Sequence, residues 1–407
     1  MLNTIVGAGI FGLPSVAYAL AGSYSLLAYL VCAVPVILII LCFAEVASRF
    51  RETGGPYLYA RVAFGPVIGF EVGWLIWLGR VTAFAAICNL FVSYLGYFLP
   101  AVGAGSARSV AIVAVVSCLT IINVAGVRMT TRVNNFFTLG KLIPLVLFAG
   151  AGLFFIDVHQ YSFAEPAPYS SFSKAALQLF FAYTGFEVAI ISAGETRDPQ
   201  RDVPFALVAA IAIVVVVYVT VQAVCIGVLP TLAMSERPLA DAALRFLGPK
   251  GAVMIALGAL LSTAGTMNAT ILAMPRVLYG MAEQRQLPRI LLATHPRFRT
   301  PHIAIVISAG LMLAFTLFST FLSALTIATI IRLLVYISTC AALPVLRRNT
   351  AVPKPTFVVP AGPVIAVAAC VLSAWLLSNS TWTQAVGVAI AAAVGLVAYL
   401  TANPRRV

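Results

Sequence analysis

Apolar residues run through this chain in stretches of about twenty, the length that crosses roughly 30 Å of hydrocarbon at about 1.5 Å per residue. Polar residues gather in short segments between them. Twelve such runs can be marked, at 2–21, 26–47, 67–99, 108–125, 136–156, 172–193, 204–228, 250–280, 303–322, 324–345, 362–378 and 383–402. Each predicts a membrane-spanning helix, because a helix satisfies its own backbone groups within lipid. The third run is long enough for two short helices, yet no proline, Asn-Gly pair or polar cluster turns the chain between Gly69 and Leu99. It therefore predicts one long, tilted helix.

Charge gives an independent check, because splitting any run would swap the sidedness of every later loop. With twelve spans and a cytoplasmic start, seventeen of the 25 basic residues fall on the inner side and five on the outer. The other three, Arg80, Lys141 and Arg332, lie within spans. The bias follows the positive-inside rule and places both termini in the cytoplasm, in a multi-pass protein of the cytoplasmic (inner) membrane.

Composition narrows the class further. Hydrophobic residues make up 62% of the 407 and charged residues only 9%, far from the balance of a soluble domain. The formal net charge of +13 would suggest nucleic acid in a soluble protein. Here the basic residues are spread over short loops rather than one aromatic-interleaved face, so no nucleic-acid partner is expected. All seven cysteines fall inside apolar runs without a Cys-x-x-Cys pair, and His159, His295 and His302 are scattered through loops. They predict neither a metal site nor any cofactor, and no catalytic cluster of an enzyme is present. Only Met1 to Val6 precede the first glycine cluster, without the basic start of a signal peptide. The short lead-in reads as a truncated first helix.

Two runs are interrupted where a spanning helix should be continuous. The first contains Gly7-Ala8-Gly9-Ile10-Phe11-Gly12-Leu13-Pro14. A break in hydrocarbon is tolerated where it lines a cavity, and the helix start it creates offers free N–H groups and a dipole that suit a carboxylate. The other reading of these glycines is a close helix-packing face. The sixth run contains Phe180-Phe181-Ala182-Tyr183-Thr184-Gly185-Phe186-Glu187, placing an acid at mid-membrane depth. Two broken helices five spans apart are the mark of an inverted-repeat carrier with its site near the midplane.

Several stretches resemble the amino acid, polyamine and organocation (APC) superfamily of permeases. They are the glycine cluster, Gly54-Gly55-Pro56-Tyr57-Leu58-Tyr59 with Phe64-Gly65, and the Phe181–Glu187 segment running on to Gly194-Glu195 and Asp198-Pro199-Gln200-Arg201-Asp202-Val203-Pro204. Pro275-Arg276-Val277-Leu278-Tyr279 and Thr300-Pro301 follow. The resemblance implies an all-α polytopic protein of the leucine-transporter fold, working by alternating access. Residues 1–345 would form the core of two inverted five-helix repeats, about 1–156 and 172–345, and 346–407 two peripheral helices.

The resemblance also assigns roles. Ala8 and Gly9, with Ile10 in the same turn, would meet an amino acid's carboxylate, and carbonyls of Ile5, Phe181, Ala182 and Thr184 its ammonium. Phe181 matches an aromatic gate, and Glu187 the acid that couples the gate to conformational change. Thr270 would line a neutral side-chain pocket, favouring zwitterionic cargo over the polyamines and other organocations that relatives carry; exchange rather than net uptake is the other alternative. Lys141, on the fifth run, matches a lysine that takes the place of a sodium ion in proton-coupled members, with Thr266 as its partner on the eighth.

Lys141 also stands out on physical grounds, since mid-span it cannot easily reach either surface. A structural lysine tied to carbonyls is the alternative. Glu45 and Glu71, near inner ends of spans, suggest pairing with inner-loop arginines or a place at the membrane interface. Arg80 suggests pairing with Glu187 or another acid, and Arg332 a structural role on backbone carbonyls.

Overall fold

The computed structural model describes residues 6–50, 54–126, 131–187 and 199–402, with the side chains of 131–138, 199 and 200 outside the description. Within these residues the regular structure is entirely helical. In chain order the helices are α1 (Gly9–Ala21), α2 (Ser25–Ala47), α3 (Pro56–Phe64), α4 (Pro66–Phe98), α5 (Gly105–Val124), α6 (Thr131–Gly152) and α7 (Tyr169–Phe180). They continue with α8 (Pro199–Val228), α9 (Pro238–Glu283), α10 (His302–Phe318), α11 (Phe321–Arg348), α12 (Gly362–Leu377) and α13 (Trp382–Ala402).

Each of the twelve apolar runs lands on a helix, and the long third run is one continuous helix, α4. Two short segments go beyond the hydropathy pattern. The glycine-rich stretch before α4 folds into α3, started by Pro56 in the first turn, where its missing N–H costs nothing. The loop before the eighth run is helical from Pro238, with a kink at Gly248 (φ 69°), a backbone angle that glycine tolerates best, before the apolar part begins at Pro249. The helix of the seventh run begins at Pro199, ahead of the apolar stretch, which leaves Pro204 inside it.

Buried and exposed faces explain how the bundle sits. Helix α4 is the central mast, packed against α9, α10, α11 and α3, and most of its apolar window is buried. Helices α5 and α13 are instead mostly uncovered, and Val110, Ile121, Ile390 and Val397 stand outward. In water such surfaces would be unfavourable, whereas against lipid tails they cost little. Helix α2 packs against α8 and α7, α6 against α9, and α12 against α11 and α2. This is a polytopic membrane fold.

Candidate functional site

The two interrupted runs meet. Helix α1 begins only at Gly9, after the irregular residues Val6 to Ala8, so the N–H groups of its first turn have no partner within the helix. Helix α7 ends at Phe180, passes through a short 3-10 turn over Phe181–Tyr183, and becomes extended at Thr184 (ψ 166°). Gly185 then takes φ 115°, a conformation open to glycine because it lacks Cβ. A methyl group built on Gly9 would lie 3.0 Å from Ala182 Cα. The glycine cluster is thus both a break and a close-packing face, and the partner it packs on is the other break.

Ala8, Gly9 and Ile10 are all buried at this junction. Ile5 lies outside the described residues, as do Gly194, Glu195 and Asp198. The carbonyl of Phe181 accepts from the Thr184 N–H (3.2 Å) and hydroxyl (2.7 Å), and that of Ala182 from the Tyr218 hydroxyl of α8 (3.2 Å). A carbonyl oxygen has two lone pairs, so the Ala182 acceptor keeps capacity for a further donor.

Lys141 is buried on α6 and donates from Nζ to the carbonyl of Val6, 2.6 Å away, at the broken start of α1. Small residues bring α6 against α9 here: a Cβ on Gly258 would touch Pro144 at 3.1 Å and the Gly140 carbonyl oxygen at 3.4 Å. Thr266 and Thr270 lie one turn apart on α9. Thr266 donates to the Ser262 carbonyl and Thr270 to the Thr266 carbonyl. Both hydroxyls therefore fold back on their own helix, while Lys141 reaches the Val6 carbonyl just before α1.

Behind the α7 break sits a buried ionic cluster. Glu187 Oε1 accepts from Arg80 Nη2 of α4 at 2.6 Å and lies 3.7 Å from Arg332 Nε of α11. Its Oε2 accepts from the Tyr336 hydroxyl at 2.7 Å and the Gly185 N–H at 2.9 Å. Arg332 donates to the Thr184 hydroxyl, and its guanidinium lies 5.1 Å from the centre of the Phe181 ring. The cluster ties α4, the α7 break and α11 together. The expectation that Arg332 serves backbone carbonyls is corrected: its described partners are a hydroxyl, an aromatic face and a carboxylate. Tyr336 escaped sequence reasoning because one tyrosine among 14 carries no signal. Its place on α11, one turn after Arg332, is what brings it to Glu187.

A second cluster lies at the end of the bundle holding the C-terminus of α11. Glu45 is fully buried and takes both Arg347 Nε (2.7 Å) and Nη2 (2.6 Å) in a fork, with the Val359 N–H at 2.8 Å and Arg49 at 3.5 Å. This agrees with pairing to loop arginines. Glu71 does not follow suit, for both its carboxyl oxygens are buried without a hydrogen-bond partner.

With that geometry in view, relatives locate the chain. Residues 1–401 match the family model described as "Amino acid permease". The chain is similar to the serine/threonine exchanger SteT of Bacillus subtilis, 28% identical over 404 residues, covering 97% of this chain and 92% of that protein. From the same organism, the methylthioribose transporter and the branched-chain amino acid permease BcaP are each 26% identical over 424 residues, covering 98% of this chain and 90% of theirs. These relatives are transporters, not enzymes. A helical membrane bundle with two broken helices packed on each other, matched along nearly its whole length, belongs to the amino acid permease family of the APC superfamily.

Proposed function

We propose that this protein is a secondary carrier of amino acids that works by alternating access across the cytoplasmic membrane, with both termini in the cytoplasm. The observation that carries this reading is the junction of α1 and α7, where Gly9 packs on Ala182 and two helix breaks face each other. There, Ala8, Gly9 and Ile10 offer N–H groups to the substrate carboxylate, and the carbonyls of Ile5, Ala182 and Thr184 receive its ammonium, joined by that of Phe181 once a Thr184 donor moves off it. Phe181 serves as the gate, Glu187 links it to α4 and α11, and Thr270 lines the pocket. The two breaks belong to inverted repeats, about 1–156 and 172–345, with 346–407 peripheral.

Protons drive the carrier through Lys141. Held on the Val6 carbonyl, its ammonium occupies the broken start of α1 as a cation would, and loss of its proton would release that carbonyl. Thr266, across the α6–α9 contact, takes part when α1 moves. An inward proton gradient imposed on proteoliposomes should stimulate amino acid uptake, and Lys141→Ala should remove that response. Stimulation by sodium without any proton effect rejects the coupling. Exchange is the second reading, favoured by the likeness to a serine/threonine exchanger; it predicts uptake only into vesicles preloaded with amino acid.

A further inference from the structure

The charges buried around the α7 break do not balance. Arg80 and Arg332 share the single carboxylate of Glu187, and all three residues are buried. Lys141 adds a third basic group at the facing break. The other acids of the described spans are elsewhere. Glu45 is engaged by Arg347 and Arg49, and Glu71 touches none of these groups. Glu187 already accepts from Arg80, Tyr336 and the Gly185 N–H. Arg80 takes the short bond to it, so Arg332 is the surplus cation. Its Nε makes no hydrogen bond and stands 3.7 Å from the carboxylate.

Arg332 is also the member of the cluster nearest the cargo path. It reaches Thr184 and lies over the ring of Phe181, both within the break of α7. A buried guanidinium short of a counter-charge favours any ligand that brings one and disfavours a ligand that adds positive charge. The first carboxylate of an amino acid is accounted for by the N–H groups of α1.

We propose that Arg332 is a specificity-determining residue that receives a second, side-chain carboxylate, so that the carrier accepts acidic amino acids and rejects lysine, arginine and polyamines. This rests on the amino acid reading above. The space beside Arg80, Glu187, Arg332 and Tyr336 is only about 10 Å³, roughly the room that one water needs. The structure is therefore closed around the cluster, and Phe181 or α11 must shift for a carboxylate to enter.

The test is thermal stabilisation of the purified protein by glutamate and aspartate against their neutral amides, with lysine and putrescine alongside. The acids should half-saturate at concentrations about tenfold below those of the amides, the preference expected of a charge-assisted hydrogen bond, and the cations should give no shift. Arg332→Gln should erase the preference and Arg332→Lys should restore much of it, whereas a purely structural arginine would weaken acids and amides equally. If Arg332→Gln does not fold, the acid-to-amide ratio of the unmodified protein decides. Glutamine or serine binding as well as the acids overturns this inference and leaves amino acid carriage standing. No response to any amino acid overturns both.

Discussion

Two buried clusters in this molecule share one composition, a carboxylate and two arginines, and differ in what the surplus arginine does. At the rim, Glu45 holds Arg347 in a fork, while Arg49 sends Nη1 to the backbone carbonyls of Leu346 and Pro353 at 3.3 Å each. The spare charge there is spent on carbonyls, and the side chain of Arg347 remains 26% exposed. Around Glu187 the spare arginine reaches a hydroxyl and an aromatic ring beside the helix break. The rim cluster fastens the segment after α11 to the end of α2. The central one joins three elements, α4, the α7 break and α11. Its two arginines reach side chains, which can change places, rather than backbone carbonyls.

Removing the acids should separate the two most strongly. Glu187→Gln leaves Arg80 and Arg332 without a counter-charge deep in the bundle and should cost about 3–5 kcal/mol, with transport abolished. Unfolding in detergent and proteoliposome uptake measure the two effects. Glu45→Gln should cost less, about 1–3 kcal/mol, because Arg347 can turn toward solvent, and the KM for cargo should stay unchanged.

The hydroxyls sharpen the contrast. Tyr336→Phe removes one donor to the central carboxylate and should cost about 1.5 kcal/mol, together with a lower uptake rate. Ser48→Ala at the rim should cost about 0.5–1.5 kcal/mol with no change in rate, since its hydroxyl bridges the Glu45 carbonyl and the backbone of Phe357. A loss of rate in Ser48→Ala equal to that in Tyr336→Phe would erase the distinction between anchor and moving joint.

Much of the fold was legible because lipid imposes a simple rule, about twenty apolar residues per crossing, and each of the twelve runs it marks lands on a helix. Helix α3 and the first part of α9 stayed hidden because they are too short or too polar for that rule, and their starts depend on Pro56 and Pro238. At the site, Gly9 and Glu187 announced themselves by breaking the pattern, and Arg80 found the acid that its depth suggested. Arg332 was visible as an intramembrane charge, yet its neighbours were not. They come from α4 and the α7 break, which lie far from it in sequence, and only packing brings them together. Glu71 shows the converse, a charge whose position suggested a partner that the packing does not supply.

The cargo site between the two breaks is tested most directly by uptake of labelled amino acids, acidic and neutral, into proteoliposomes alongside labelled putrescine. A carrier built on the α1–α7 junction gives saturable amino acid uptake that excess putrescine does not inhibit. Uptake of putrescine without uptake of any amino acid would contradict it.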